Sequence, residues 1–231
     1  MNNSRDFNRY DRQTILPGFG KEGQQKLFDA RVLVIGAGGL GCPALQYLAA
    51  AGVGNIGIVD HDVVSLTNLH RQILFTANDV DRPKVEIAAQ RLSALNPDIT
   101  ITTYPVKLDA GNALDIIADF DIVLDGTDNF STRYMINDAC ALLQKPLIFG
   151  AVSQFEGQVS VFNVPDAENK LSNYRDLFPD APGDQEIPNC AEAGVIGILP
   201  GIIRTMQAAE VIKLITGLGK PLAGRLLTFN V

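Results

Sequence analysis

Residues Arg31 to Gly41 read Arg-Val-Leu-Val-Ile-Gly-Ala-Gly-Gly-Leu-Gly, a continuous apolar run that empties into four glycines. An apolar run of this length, bounded by glycine, predicts a strand buried on both faces of a parallel sheet. A strand that ends in Gly-x-Gly-x-x-Gly and opens a helix sets backbone N–H groups against a phosphate, with the partial positive charge of the helix N-terminus behind them. Gly36, Gly38, Gly39 and Gly41 are therefore candidate nucleotide-loop residues. A second apolar run, Asn55 to Asp60, closes on a carboxylate 24 residues after Gly36, where ribose hydroxyls are bound in such folds. The plainer alternative for Asp60 is a solvated carboxylate at a strand end. By itself the loop favours a dinucleotide such as NAD or FAD.

Composition narrows the classes. A chain of 231 residues, 46% of them hydrophobic, is sufficient for a single packed α/β unit. A formal charge of −7 argues against a nucleic-acid partner, because phosphate backbones are bound mainly by basic surface. Three scattered cysteines, Cys42, Cys140 and Cys190, make no disulfide framework and suit a reducing compartment. The N-terminal residues lack the apolar core of a signal peptide, and no apolar run approaches the ~20 residues of a membrane span. The expectation is a cytoplasmic protein with no membrane contact.

Working outward from the glycine loop, Pro43 to Ala51 reads as the first crossover helix, ended by Gly52 to Gly54. A long polar connection, 61–81, contains Asp62, Asn68, Arg71 and Gln72. Then follow a helix from Pro83 to Leu95, a strand from Ile99 to Tyr104, a helix from Asp109 to Ala118 and a strand from Asp121 to Asp125. A break at Gly126 to Asn129 leads to a helix from Ser131 to Leu143 and a strand from Pro146 to Gly150. This alternation predicts an α/β, Rossmann-like fold, a mainly parallel sheet with helices on both faces. Beyond Gly150 the pattern changes: Gly157 to Val164 alternates like an antiparallel strand, residues 166–189 lack an apolar period, and a helical region from Ala191 to Thr216 precedes a last strand, Arg225 to Val231. Residues 1–30, with the polar Arg9-Tyr-Asp-Arg-Gln13, a Pro17-Gly18 turn and a mixed helical segment near Gln24 to Phe28, read as an N-terminal arm and helix.

In such sheets ligands bind beyond the carboxyl ends of the strands, so Gly36 to Gly41, Asp60 to Arg71 and Gly126 to Asn129 converge on one crevice. Lys84 falls in the first turn of its helix, where the macrodipole disfavours a cation. It either faces solvent or shares an anion with the helix N–H groups. Asp128 is either an N-cap or a Mg²⁺ ligand, since magnesium is held by one or two carboxylates together with substrate phosphates. Arg12 and Arg71 are ordinary surface charges if taken singly. Three separated cations and a carboxylate around a glycine loop suit a triphosphate better than a hydride-transfer cofactor, which moves the reading from NAD to ATP. Cys190, beside a helix N-terminus, is a buried structural cysteine or a nucleophile of lowered pKa. Cys42 and Cys140 are assigned to packing, and His61 and His70 to loops without ligand partners.

The ordered set Arg9-Tyr-Asp-Arg-Gln, Gly36-Ala-Gly-Gly-Leu-Gly, Asp60-His-Asp-x-Val-Ser-Leu-Thr-Asn-Leu-x-Arg-Gln, Pro83-Lys84, Asp125-Gly-Thr-Asp-Asn and Cys190-Ala-Glu-Ala-Gly resembles the MoeB/ThiF/HesA family, bacterial relatives of ubiquitin-activating enzymes. The resemblance implies an adenylyltransferase that uses ATP and Mg²⁺ to activate the C-terminal glycine carboxylate of a ubiquitin-like sulfur-carrier protein ending in Gly-Gly, releasing pyrophosphate, for thiamine or molybdenum-cofactor synthesis. It assigns Gly36, Gly38, Gly39 and Gly41 to the nucleotide loop and Asp60 to ribose. Asp62, Asn68, Arg71, Gln72, Lys84 and Asn129 surround the phosphates, with Asp128 the magnesium ligand. It implies that Arg12 serves the neighbouring subunit of a homodimer, and that Cys190 reacts with the activated carrier or with a sulfurtransferase or cysteine desulfurase. Residues 31–150 would then be the nucleotide-binding core, and residues 151–231 the carrier-binding part with a crossover loop at 166–189.

Two departures matter. Many members hold a structural zinc through two Cys-x-x-Cys pairs. Here Asn173-Tyr-Arg-Asp176 stands at the first pair and no second pair is present, so no structural zinc is expected. The competing readings are an NAD-binding Rossmann oxidoreductase, suggested by the loop and Asp60 alone, and a family member adenylating a small molecule or a tRNA. The acidic charge counts against tRNA.

Overall fold

The computed structural model describes residues 7–39, 41–181 and 194–231. Cys190 and residues 182–189 of the expected crossover loop lie outside the described residues.

Chain order is α1 (Asp11–Thr14), α2 (Gly20–Asp29), β1 (Arg31–Ile35), α3 (Gly41–Ala51), β2 (Asn55–Val59), α4 (Lys84–Leu95), β3 (Thr100–Tyr104), α5 (Ala113–Ala118), β4 (Ile122–Asp125), α6 (Phe130–Leu142), β5 (Leu147–Ser153), β6 (Glu156–Phe162), α7 (Tyr174–Leu177), α8 (Ile198–Thr216) and β7 (Leu227–Asn230). The strands form one sheet in the order β3-β2-β1-β4-β5-β6-β7. The first five are parallel, while β6 and β7 join antiparallel. The central runs Val32–Ile35 and Ile122–Asp125 are buried on both faces, as their unbroken apolar sequence requires. One face carries α2, α3, α4 and α8 around Leu27, Leu45, Leu48, Ile87 and Val211. The other carries α5, α6 and α7 around Ile117, Ile136, Phe149 and Tyr174.

The chain runs outward in opposite directions from β1, and the switch point between β1 and β4 is where an open sheet leaves a crevice. Its floor is made by two touching loops. Gly36 has φ +93°, and a Cβ there would lie 2.7 Å from the Gly126 carbonyl oxygen, so neither loop can carry a side chain at the contact.

Three details differ from the sequence expectation. The N-terminal segment, expected as an arm with a helix near Gln24 to Phe28, has that helix as α2 and is packed on the core from residue 7 onward: Tyr10 is buried against Phe28 and accepts a 2.7 Å hydrogen bond from the Asn96 amide, and the Gln13 amide donates to Gln24 and to the Ala51 carbonyl. The helix expected from Asp109 begins at Ala113, because Asp109, Gly111 and Asn112 close a turn through Asp109 Oδ1 and Asn112 Oδ1 that competes with helical bonding. Pro83 is the N-cap of α4 and Lys84 its first residue, one step later than expected. Among the described residues no helix is long and apolar enough to cross a membrane.

Candidate active site

A cleft opens over the touching glycine loops, with a volume of about 210 Å³. It is lined by Gly36, Gly38 and Gly39 below, by Asp60 to Asp62, Asn68, Arg71, Gln72 and Lys84 on one side, and by Gly126 to Asn129 on the other. The strand-end rule thus brings together the residues that the sequence pointed to. Ile35 and Val59, at the ends of β1 and β2, and Thr132, on α6, also line it. Val106, Lys107 and Leu108, just past β3, and Val152, Val195 and Pro200 complete the lining. Sequence reasoning passed over all six. Val106 to Leu108 follow a strand end like the others and were legible by the same rule; the rest depends on where residues 194–200 cross, which carries no local signal.

Asp60 ends the apolar β2 run and turns back into the glycine loop. Its Oδ2 accepts the Ala37 N–H at 2.7 Å and its Oδ1 the Asp62 N–H at 2.8 Å. Burial raises its pKa, with Lys84 and these N–H bonds opposing the rise. A carboxylate offers about four acceptor sites, so positions remain for ribose hydroxyls. Lys84 does not face solvent: it is 3% exposed, and its Nζ lies 2.8 Å from Asp62 Oδ2. Arg71 lies across the loop because Gly39 has no side chain; a Cβ there would come 2.7 Å from Arg71 Cγ. Its guanidinium donates to Asn68 Oδ1 at 2.7 Å. Gln72 is 3% exposed, and its buried Oε1 has no hydrogen-bond partner, an unmet polar group in the cleft wall.

Opposite, the N-cap of α6 is Asn129, whose Oδ1 accepts the Thr132 N–H at 2.9 Å. That disposes of the capping alternative for Asp128. Asp128 is exposed and makes no hydrogen bond or ion pair among the described residues. Beneath it, the fully buried Asp125 carboxylate accepts from Thr127 N at 2.8 Å, Thr127 Oγ1 at 2.7 Å and Arg133 Nε at 3.2 Å. Burial works against the Arg133 charge, but Asp125 and Tyr174 together outweigh it, and the pKa is raised.

Not every singled-out residue enters the cleft. Arg12 is exposed and absent from the lining. Its neighbour Gln13 bonds the Ala51 carbonyl at the C-terminal end of α3, and the glycine loop lies at the other end, roughly 16 Å away at 1.5 Å per residue. His61, expected to lack ligand partners, does have acids beside it: Asp60, His61 and Asp62 present ligand atoms within 4.8 Å of one another. The Lys84 ammonium already sits on Asp62, however, which disfavours a cation there. Burial pushes the Cys42 thiol up to about 12 and raises that of Cys140, so both behave as packing residues. Asn173 and Asp176 form a capping box on α7, not a ligand pair: Asn173 Oδ1 accepts the Arg175 N–H, and Asp176 Oδ2 accepts the Asn173 N–H.

Three comparisons place this geometry among known proteins. A sulfur carrier protein adenylyltransferase of Thermus thermophilus is 52% identical over 226 residues, covering 97% of this chain and 83% of the relative. The probable adenylyltransferase/sulfurtransferase MoeZ of Mycobacterium tuberculosis is 50% identical over 223 residues, 96% of this chain and 57% of the relative. A crystal structure of E. coli MccB with ATP superposes with a TM-score of 0.83 at 24% identity, covering 97% of this chain and 69% of that one, which is a likeness of fold. The model of the ThiF family matches residues 10–231, and the chain belongs to that family.

Proposed function

We propose that this protein adenylates the C-terminal glycine carboxylate of a ubiquitin-like sulfur-carrier protein with ATP, releasing pyrophosphate. Two relatives at 50% identity or more bear adenylyltransferase names, and the Thermus one is named for a sulfur carrier. The observation that carries the reading is electrostatic. A buried lysine and a braced arginine face a partnerless carboxylate, Asp128, across one glycine-floored cleft.

The chemistry follows from charge. A terminal carboxylate is ionised at pH 7, so no general base is needed. One of its oxygens attacks the α-phosphorus, a C–O–P anhydride forms, and the bond to the β-phosphate oxygen breaks, with its electron pair leaving on pyrophosphate. Two anions must meet first, so the site has to neutralise charge as well as orient the reactants. Lys84 and Arg71 supply fixed cations, Asn68 directs the Arg71 guanidinium, and Asp60 accepts from ribose. Asp128 fits a magnesium ligand, being a free carboxylate beside the phosphate floor. Mg²⁺ held there supplies further neutralisation of the leaving pyrophosphate. Asn129 fixes the loop as the α6 cap.

Arg12 cannot reach the cleft of its own chain, and Ile15 and Leu16 beside it are 69% and 52% exposed, which supports a homodimer that shares its sites. The sulfurtransferase name of MoeZ supports a sulfurtransferase or cysteine desulfurase as a further partner, met through Cys190. Carriers of thiamine and of molybdenum-cofactor synthesis are both candidate substrates under this reading. The test is ATP–pyrophosphate exchange against a panel of carriers. Exchange that requires a Gly-Gly carrier supports the reading; exchange absent with every carrier while ATP is bound contradicts it.

A further inference from the structure

Asp128 is exposed and has no internal partner, yet it leaves a loop whose base is tightly tied. Gly126 donates its N–H to the Ile35 carbonyl at 2.7 Å, which anchors the loop on the phosphate floor. Thr127 has every polar group engaged: N–H and Oγ1 on Asp125, and the carbonyl accepting from Arg133 Nη2 at 3.1 Å. Arg133 is 7% exposed and clamped between rings, with its guanidinium carbon 5.2 Å from the Phe149 centroid and 5.7 Å from that of Phe130. From the sheet's other face, α8 holds the Asp125 carbonyl through Arg204 and the Gln207 amide. Neither Asp125 nor Arg133 lines the cleft.

A buried ion pair adds little net stability compared with apolar residues of the same volume. This pair therefore calls for a role besides stability, and apart from Tyr174 on the guanidinium and α8 on the Asp125 carbonyl, its side-chain bonds end at Thr127, the residue before Asp128. We propose that Arg133 is a positioning residue: through Asp125 and Thr127 it fixes the direction in which the Asp128 carboxylate enters the nucleotide cleft. The inference rests on the metal-ligand reading of Asp128.

The test measures Mn²⁺ affinity by electron paramagnetic resonance in the presence of α,β-methylene ATP. Metal-free nucleotide affinity and thermal unfolding are followed alongside. The variants are Arg133→Met, Arg133→Lys and Thr127→Val, with Asp128→Ala as control. Outer-shell partners are worth about 10–100-fold in metal affinity. Arg133→Met and Thr127→Val are expected to weaken Mn²⁺ binding by that order while metal-free nucleotide affinity stays within about twofold. Arg133→Lys recovers part of the loss, because an ammonium neutralises Asp125 but lacks the fork that reaches both partners. Folded Arg133→Lys and Thr127→Val proteins with wild-type Mn²⁺ affinity, beside an Asp128→Ala protein that has lost it, overturn the proposal alone. Wild-type affinity in Asp128→Ala overturns the metal-ligand reading first. Should Arg133→Met fail to fold, the other two variants decide.

Discussion

Lys84 and Asp62 form an ion pair with unequal ends: the lysine side chain is 4% exposed and the aspartate 54%. Removing the lysine leaves Asp62 to water but withdraws the cation that offsets the burial of Asp60, so Lys84→Ala should lose less stability than Asp62→Ala. It should lose about 10²–10³ in exchange rate, the scale of a missing transition-state donor. Removing the aspartate leaves a buried ammonium unpaired, so Asp62→Ala should lose about 1–3 kcal/mol of stability, and bound ATP should restore part of it. Thermal unfolding with and without nucleotide checks both; equal stability losses in the two variants would contradict the asymmetry. Asp60 carries the pH signature. Because burial raises its folded pKa, its favourable contribution is present below the unfolded value of about 3.9 and is lost as pH rises through the folded value. The stability of wild type relative to Asp60→Asn should therefore fall as pH rises through that window, and a difference that grows with pH would show the sign to be wrong. Asp60 and the loop glycines were legible because strand-end chemistry is local. Lys84 was only half legible: its position in the helix was plain, but its burial depends on the chain segment before it.

Among the elements, α7 is held by a ring cluster and an ion pair, in the segment for which the sequence led to the expectation of no structural zinc. Tyr174 packs against Tyr134, Phe149, Phe162 and Phe178 at centroid distances of 5.0, 5.3, 6.1 and 4.9 Å. Arg175 makes a double hydrogen bond to Asp138 at 2.8 and 2.7 Å, which lowers the Asp138 pKa. The ring cluster carries the energy, since an exposed ion pair is worth roughly 0.2–1 kcal/mol. Tyr174→Ala should cost about 3–5 kcal/mol, and chelators should leave the unfolding temperature unchanged. A chelator-induced drop of several degrees would instead reveal a metal in the segment. The sequence showed no Cys-x-x-Cys pair at residues 173–176 but not the ring cluster that stands there, because aromatic residues from β5, β6, α6 and α7 meet only in the fold. The Arg133–Asp125 pair was hidden for the same reason. It joins a strand end to a helix eight residues on, and only the helix phase brings the two together.

For the whole molecule, the parallel-then-antiparallel sheet and the cleft at its switch point were readable from the alternation of elements, while the packing of the N-terminal segment was not. That packing has a consequence for assembly. Arg12 is pinned near the far end of α3, so a site that uses it must span two chains. Arg12→Ala and Lys84→Ala should each be inactive, and mixing them with subunit exchange should restore about a quarter of wild-type activity, since one of the two sites in half of the dimers is intact. No recovery after verified exchange would place Arg12 outside the shared site. The central claim is that ATP activates a protein's terminal carboxylate in this cleft. Intact mass spectrometry of a Gly-Gly carrier incubated with enzyme, ATP and Mg²⁺ tests it most directly. The predicted result is a carrier heavier by one adenylyl group, lost to hydroxylamine as the hydroxamate and absent when the terminal glycine is deleted. An unmodified carrier in the presence of ATP-bound enzyme would contradict it.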